Sequence, residues 1–337
     1  MGRLCCTPIL AAACVLALAL GASASEIDVA AAKKEGKVVW YTSTPIETAQ
    51  KIVKLFEGET GIKVEMFRSG GSAILRRFMQ EAQAGRLAAD VMTTSDPAAT
   101  AALARKGTFV AFKPKNFDKV VEEGRDKDGY FVAQRLNLMT IYARSDKLGP
   151  ADRPKTWGDL TEPKYKGKLV MTDPSFTALQ LMVVGTMAKN VGWGYYEKLR
   201  KNDIMVVQGN QQVSDNIKRG ERLIAVGALD SYAADERRAG HPIVTILPED
   251  GTFVIPSPTA LIKGSPNPNA AKLLAEFMIS DAVQRLFPED GGYSARRDMP
   301  PPAEGVALDK IKVIPVDYEY IEKEAARLKK RFNEIFQ

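Results

Sequence analysis

The chain has 337 residues, of which 45% are hydrophobic and 26% are charged, and this composition excludes a disordered or fibrous protein. The length allows two domains, or one domain of two lobes. Its formal net charge is +6, which favours an anionic solute or an anionic surface without selecting one of them.

The N-terminus predicts a secretory signal peptide. Arg3 gives a basic start, residues 8–20 are apolar, and the A-S-A sequence at 22–24 fits a cleavage site. We expect residues 1–24 to be removed near Ala24 and the protein to reach the periplasm.

The cysteines support this interpretation. All of them lie inside the predicted signal, so the mature chain would have no disulfide, thiol nucleophile or cysteine-bound metal (Cys5, Cys6 and Cys14). A lipoprotein acylated at Cys14 is the alternative. The apolar run continues beyond Cys14, which favours cleavage near Ala24.

Strand and helix patterns then alternate along the chain. Residues 37–41 predict a strand and residues 61–67 a second strand, which a glycine turn connects to an amphipathic helix with Ser72 as its N-cap. Residues 88–92 predict a third strand, followed by a helix over 98–105. This alternation is typical of a parallel sheet with helices on its faces.

Polar turns follow each of these strands. Ligands of parallel sheets bind beyond the carboxyl ends of the strands, so the turns should line one edge. Glycines let the backbone approach a ligand, and free N–H groups at a helix start favour an anion. The predicted ligand-binding residues of this half are Ser43, Thr44, Ser69, Gly70, Gly71, Ser72 and Ser95.

The alternation restarts after an extended segment at 129–144. Strand patterns at 169–171, 205–207 and 223–228 each lead into a polar turn and a helix, which predicts a second lobe. Its predicted ligand-binding residues are Asp173, Ser175, Ser231 and Tyr232.

A cation at the expected crossing between the lobes would complete an anion site. Arg135 interrupts the apolar run there and is the favoured anion partner, with Arg76 and Arg77 as further candidates. A final helix is predicted over 318–336. We therefore expect lobe 1 at 25–134 plus about 251–310, lobe 2 at 135–250, and a C-terminal helix at 311–337 that packs on the lobes.

Several motifs together resemble the extracellular solute-binding proteins of ABC importers, family 1, and within it the ferric-ion binders. They are VVWYTS at 38–43, AADVMTTSD at 88–96, KTWGDLTEPKYKGKL at 155–169 and KGSPNPNAAKLLAEFMISDAVQRLF at 263–287. The resemblance implies a type II-like α/β fold of two lobes, each a mixed sheet flanked by helices. Hinge strands would join the lobes and let them close on a solute. It also implies an ABC permease in the inner membrane as partner, and we expect a monomer without a cofactor.

The ligand is predicted to be a small organic anion, either a carboxylate, a phosphonate or a phosphate ester. Ferric-ion binders typically present adjacent tyrosines where this chain has Ser231-Tyr232-Ala233. Fe³⁺ prefers several anionic oxygen donors. Iron therefore stays the alternative, with Tyr232 and Tyr41 as its candidate ligands, while Tyr195-Tyr196 is interpreted as part of a packed helix.

An enzyme on this fold is the less favoured alternative. His241 is the single histidine, and neither a G-x-S-x-G nor an H-E-x-x-H motif occurs. We expect binding without turnover. Nucleic-acid binding is disfavoured by export and by the lack of a basic stripe with interleaved aromatics.

Overall fold

The computed structural model describes Gly2 and residues 27–337. The predicted signal peptide, its cysteines and the cleavage near Ala24 lie outside these residues, apart from Gly2. Within the described part of the chain, no helix is long and apolar enough to cross a membrane.

The first half of the fold consists of three strand–helix units in sequence. The parallel partners of β1 are β2 and β3, as the alternation predicts. We call this half lobe 1. Its elements, with the long strand that leaves it, are α1 (Val29–Glu35), β1 (Lys37–Thr42), α2 (Ile46–Thr60), β2 (Lys63–Arg68), α3 (Gly71–Gln83), β3 (Val91–Thr93), α4 (Pro97–Arg105), β4 (Phe109–Val110) and β5 (Val132–Arg144).

The second half repeats this design and is called lobe 2. Strand β6 pairs in parallel with both of its neighbours, β7 and β8. Its elements are β6 (Leu169–Thr172), α5 (Ala178–Val191), α6 (Gly194–Lys201), β7 (Met205–Val207), α7 (Asn210–Arg219), β8 (Ile224–Leu229), α8 (Asp230–Arg238) and β9 (Ile243–Ile246).

The chain then returns to lobe 1 and ends in a long helix. The last elements are β10 (Phe253–Ile262), α9 (Pro268–Met278), α10 (Asp281–Glu289), β11 (Tyr293–Ser294) and α11 (Tyr318–Phe336). The strand order is β2-β1-β3-β10-β5-β8-β6-β7, so β10 and β5 form the centre of one mixed sheet.

Strands β5 and β10 are antiparallel and join the two lobes. One end of β5 pairs with β10 over Val132–Met139, and its other end pairs with β8 and β9. The far end of β10 pairs with β3 in lobe 1. Strand β10 contains Pro256 and Pro258, with a shift of register at Ser257/Pro258. Proline has no N–H, so the backbone ladder is interrupted where β10 pairs with β5 between Ala133 and Leu136.

Each lobe has its own apolar core. Trp40, Phe56 and Leu274 belong to the core of lobe 1, whereas Trp157 and Tyr196 belong to that of lobe 2. The tyrosine pair predicted to pack is confirmed as core, because Tyr195 is 8% and Tyr196 2% exposed.

Helix α11 packs on both lobes. It contacts α5 and α6 of lobe 2 and α4 of lobe 1. A Cβ at Gly185 of α5 would clash with Ile321 and Leu328, so this glycine permits the close approach of the two helices. The ion pair of Arg105 with Glu322, at 3.1 Å, links α11 to lobe 1.

Candidate functional site

A cleft of about 320 Å³ lies between the two lobes, beyond the carboxyl ends of the parallel strands. Lobe 1 contributes the turns after β1, β2 and β3, and lobe 2 contributes the segments that precede α5, α7 and α8. The residues that line it are Ser43, Pro45, Arg68, Ser69, Gly70, Gly71, Ala73, Arg76, Ser95, Arg135, Phe176, Thr177, Ala178, Leu179, Gln208, Gly209, Asn210, Gln211, Gln212, Leu229 and Tyr232.

Helices α2, α3, α5, α7 and α8 begin at this cleft without a side-chain cap. Their N-cap residues are Pro45, Gly70, Thr177, Gly209 and Leu229, and all of these line the cleft. The first N–H groups of a helix have no partner inside the helix, and its N-terminus carries a partial positive charge. The cleft is therefore surrounded by positive helix ends and free donors.

Four helices that begin elsewhere show the contrast, although α6 and α9 also begin without a side-chain cap. Helices α1, α4, α10 and α11 start with a side chain that accepts a backbone hydrogen bond, from Asp28, Asp96, Ser280 and Asp317 respectively. An acidic or hydroxyl cap of this kind stabilises a helix start by about 1 kcal/mol. The cleft helices lack it, which leaves their N-termini available to a ligand.

Arg135 lines the cleft from β5 and is 5% exposed. Its Nε donates to Asn137 Oδ1 at 3.1 Å and its Nη1 to Thr44 Oγ1 at 2.9 Å. Nη2 donates to Ser95 Oγ at 3.2 Å and to the Ser43 carbonyl at 3.4 Å. These partners are all neutral. Burial lowers the pKa of the Arg135 guanidinium to about 9, so it keeps its charge at neutral pH.

Two further arginines line the cleft without an ion pair among the described residues. Arg68 ends β2, and its Nε donates to the Thr44 carbonyl at 3.0 Å. Arg76 faces the cleft from α3. Arg77 does not, because it pairs with Glu81 at 2.8 Å and covers the ring of Phe67 at 4.1 Å.

The sequence did not decide whether Arg76 or Arg77 contacts the solute, and Arg68 was not among the predicted anion partners. Arg68 could have been found from its position, since it is the last residue of a strand and precedes the glycine turn. Among the described residues that line the cleft, none is aspartate, glutamate or histidine. The charged side chains of the cleft are thus all cationic.

The two tyrosines named as possible ligands differ in position. Tyr232 lines the cleft, and burial raises the pKa of its phenol, although Arg68 and Arg135 oppose this rise. Tyr41, the other candidate ligand for iron, does not line the cleft: its ring is 1% exposed and its hydroxyl donates to Glu81 at 2.6 Å. This burial raises the pKa of Tyr41 to about 12.

More than half of the other predicted site residues also reach the cleft. Those that line it are Ser43, Ser69, Gly70, Gly71, Ser95 and Arg135. Thr44 lies behind them, fully buried, and accepts from Arg135. It contributes by orienting the guanidinium.

The remaining predicted residues do not line the cleft. Ser72 is the second residue of α3 and is 7% exposed; the predicted Ser72 cap is wrong, because Gly70 is the N-cap. Asp173 accepts from the Ser175 amide at 2.6 Å, which closes their turn, and it faces a neighbouring groove. Ser231 lies in the first turn of α8, outside the cleft lining.

Sequence reasoning missed a wall of amide side chains. These are Gln208, Asn210, Gln211 and Gln212, at the start of α7. Their signal was the polar segment directly after β7, because in this fold a strand's carboxyl end opens onto the cleft. Exposed Phe176, at 43%, is an apolar neighbour on the same lobe.

The lobes contact each other at two glycines, one of which lines the cleft. A Cβ at Gly70 would lie 3.2 Å from the Phe176 carbonyl oxygen of lobe 2. Outside the cleft lining, a Cβ at Gly291 would clash with Ala234 and Arg238 of α8. The glycines allow the two backbones to meet around the cleft.

The described lining residues include few side chains that could bind a metal ion. No group of three or more His, Cys, Asp or Glu side chains able to hold an ion occurs in the described residues. Tyr232 is the single phenol among the described lining residues. Hard trivalent iron prefers several anionic oxygens, which this donor set does not supply.

Two parallel-sheet lobes, two connecting strands and a cleft between them define a periplasmic binding-protein fold. Solved structures with this fold include the binding protein AfuA from Actinobacillus pleuropneumoniae, with fructose-6-phosphate bound. Its TM-score is 0.80 at 22% identity, over 89% of this chain and 98% of that one. Iron-bound HitA from Pseudomonas aeruginosa has a TM-score of 0.77 at 18% identity, over 89% of this chain and 99% of that one. The predicted fold class is confirmed.

The chain belongs to the bacterial extracellular solute-binding protein family, whose model matches residues 87–324. Among its relatives is a putative 2-aminoethylphosphonate-binding periplasmic protein from Salmonella typhimurium. The two are 26% identical over 258 residues, which is 73% of each chain. The predicted resemblance to periplasmic binders of this branch is confirmed.

Proposed function

We propose that this protein is the periplasmic solute-binding component of an ABC importer and that it captures a small organic anion in the cleft between its lobes. The observation that supports this most directly is Arg135. Its guanidinium is 5% exposed and has only neutral partners within the described residues.

A buried cation is expensive unless an anion accompanies it. In most proteins an internal carboxylate fulfils that role, but here the place beside Arg135 opens into the cleft. A solute anion can accept hydrogen bonds from the guanidinium and from the uncapped helix N-termini together. Binding would then neutralise the site.

The two connecting strands indicate where the lobes would hinge when they close on a solute. We place the hinge where β5 changes its partner, near Met139, rather than at residue 135. Lobe 1 would then comprise 25–139 plus 251–310, and lobe 2 140–250. Phe176 of lobe 2 already lies against Gly70 of lobe 1 in this structure, and we infer that this contact helps to sequester a bound solute.

The names of similar proteins support an anionic solute, and they also include iron as a possible cargo. One relative is named for 2-aminoethylphosphonate, one similar structure contains fructose-6-phosphate and another contains iron. The arginines of this cleft, and the lack of a carboxylate among its described lining residues, favour the organic anion over iron.

Binding is expected to occur without turnover, in a monomer that works with an inner-membrane permease. The single histidine, His241, lies away from the cleft, with its Nε2 3.5 Å from Glu236. The described lining residues thus offer no nucleophile with an adjacent general base.

A thermal-shift panel on periplasmic protein tests this function. A carboxylate, phosphonate or phosphate ester at 100 times its Kd should stabilise the fold by about 2.7 kcal/mol. Ferric citrate should have no effect and the protein should be colourless. A red protein that loses its colour on Tyr232→Phe would identify iron as the cargo instead.

A further inference from the structure

The charge of the cleft restricts which anions fit it, and this restriction rests on the proposed function. Arg68, Arg76 and Arg135 all line the cleft, and no carboxylate forms an ion pair with them in the described part of the chain. One guanidinium can satisfy the two oxygens of a carboxylate. A phosphoryl or phosphonyl group has about two negative charges and three acceptor oxygens, which suits several donors at once.

The opposite wall of the cleft is polar but uncharged. Gln208, Asn210, Gln211 and Gln212 line it from lobe 2, and an amide can both donate and accept. Gln211 Nε2 donates to Asp215 at 3.1 Å, and Gln212 Oε1 accepts from the Gln208 N–H at 2.8 Å. Asn210 has a buried Oδ1 atom without a hydrogen-bond partner among the described residues, so it has an acceptor to offer. A solute hydroxyl, which also donates and accepts, matches this wall.

An ammonium group does not match it. Such a group carries a positive charge and needs an anion or several acceptors when it leaves water. The described lining residues include no carboxylate, and all charged side chains among them are arginines. The positive ends of the surrounding helices add to the repulsion.

We propose that the solute of this cleft has a doubly charged phosphonyl or phosphoryl group and an uncharged, hydroxylated remainder, and that the cleft rejects solutes with an ammonium group. The charged group contacts the arginines, and the hydroxylated part contacts the amide wall. This distinguishes the protein from its relative named for 2-aminoethylphosphonate.

Two phosphonates of the same size test the rejection. 2-Hydroxyethylphosphonate and 2-aminoethylphosphonate differ in a hydroxyl against an ammonium group. Titration calorimetry at pH 7.5 with protein purified from the periplasm should show at least tenfold tighter binding of the hydroxyl compound. 3-Hydroxypropionate, which replaces the phosphonyl by a carboxylate, should bind at least tenfold more weakly than 2-hydroxyethylphosphonate.

A second test introduces a carboxylate into the cleft. Asn210→Asp places a carboxylate on the cleft at the first residue of α7, where a helix accepts negative charge. It should shift the preference towards the aminoethyl compound at least tenfold. Gln83→Glu makes the same charge change at the exposed far end of α3 and should leave the preference unchanged.

The outcomes separate this inference from the proposed function. Equal affinity for the two phosphonates, a preference for the aminoethyl compound, or carboxylate binding as tight as phosphonate binding would overturn the inference and leave an anion binder. Failure of all three compounds, inorganic phosphate and a carboxylate panel to bind would overturn both.

Discussion

Two buried arginines of lobe 1 show how the same side chain serves two purposes. The Arg296 side chain is 1% exposed; its Nη1 contacts Asp281 at 2.6 Å and its Nη2 contacts Asp298 at 2.8 Å. Arg135 is also buried, but its partners are hydroxyl, amide and carbonyl oxygens. The two sites are close in the fold, because Arg135 pairs with Ser294 of β11, two residues before Arg296.

The difference lies in where the compensating charge comes from. Arg296 is neutralised by the protein itself, and the guanidinium in turn lowers the pKa of Asp298 to about 2. In the described part of the chain Arg135 has only neutral hydrogen-bond partners, and it lines the cleft. A buried arginine with its own acids holds the fold together, whereas one without them indicates a site for an external anion.

The largest expected effect separates binding from stability at Arg135. Arg135→Ala should weaken solute binding by about 2–3 kcal/mol, or about 30- to 150-fold, because the anion loses its charge partner. The free energy of unfolding without solute should stay equal or rise, since an unpaired buried charge is removed. Calorimetric titration and chemical unfolding of the same preparation measure both quantities.

Arg135→Lys is the matched control for geometry. It keeps the charge but loses the planar fork, so its affinity should fall between those of wild type and Arg135→Ala. Full affinity in Arg135→Ala would contradict the assignment of this arginine to the solute.

The opposite pattern is expected for Arg296. Arg296→Ala should lower the free energy of unfolding by about 2 kcal/mol, less than for a fully buried pair because Asp281 is 62% and Asp298 39% exposed. Solute affinity, measured well below the unfolding temperature, should remain within about twofold. A loss of affinity as large as that of Arg135→Ala would remove the distinction between the two sites.

Acid should weaken the Arg296 site. The folded-state pKa of Asp298 is about 2, below the ordinary value of an aspartate, so its carboxylate stabilises the fold above that ordinary value. This contribution is lost as the pH falls from about 5 to about 2. Unfolding experiments across this range should show a shallower pH dependence in Asp298→Asn than in wild type, and identical slopes would contradict the pairing.

The smallest effects are expected for substitutions of two serines. Ser95→Ala removes a hydroxyl that accepts from Arg135 at 3.2 Å and should reduce affinity by about 1 kcal/mol or less. Ser280→Ala removes the cap of α10 beside Asp281 and should lower stability by about 1 kcal/mol instead. Titration and thermal unfolding of both variants should give opposite patterns; the same pattern in both would show that the two regions do not differ.

Local sequence patterns located one half of the cleft well. Strand–helix alternation places Ser43, Gly70 and Ser95 after successive parallel strands, and the fold brings such strand ends to one edge. Arg135 could be identified from the sequence because burying a charged residue inside an apolar strand is costly unless the charge has a partner. These features depend on neighbouring residues alone.

Other features depend on the packing of distant elements. The sequence could not decide that Arg77 pairs with Glu81 while Arg76 lines the cleft. Nor could it show that Gly70 meets Phe176 of the opposite lobe as well as opening the turn. The direction in which Tyr41 points follows from the packing of α3, which carries Glu81, and the amide wall follows from how the two lobes sit against each other.

The course of β10 has a consequence for how the chain acquires its shape. Thr93 and Thr259 bond across β3 and β10 although they lie 166 residues apart in sequence. The strands of lobe 2 lie in one continuous stretch between them, so its contacts close shorter loops and are favoured to form earlier. Lobe 1 can be completed only after β10, α9 and α10, which follow lobe 2 in the chain, have packed onto it. The anion site, which needs Arg135 on β5 and Ser95 after β3, is therefore among the last parts of the molecule to be completed.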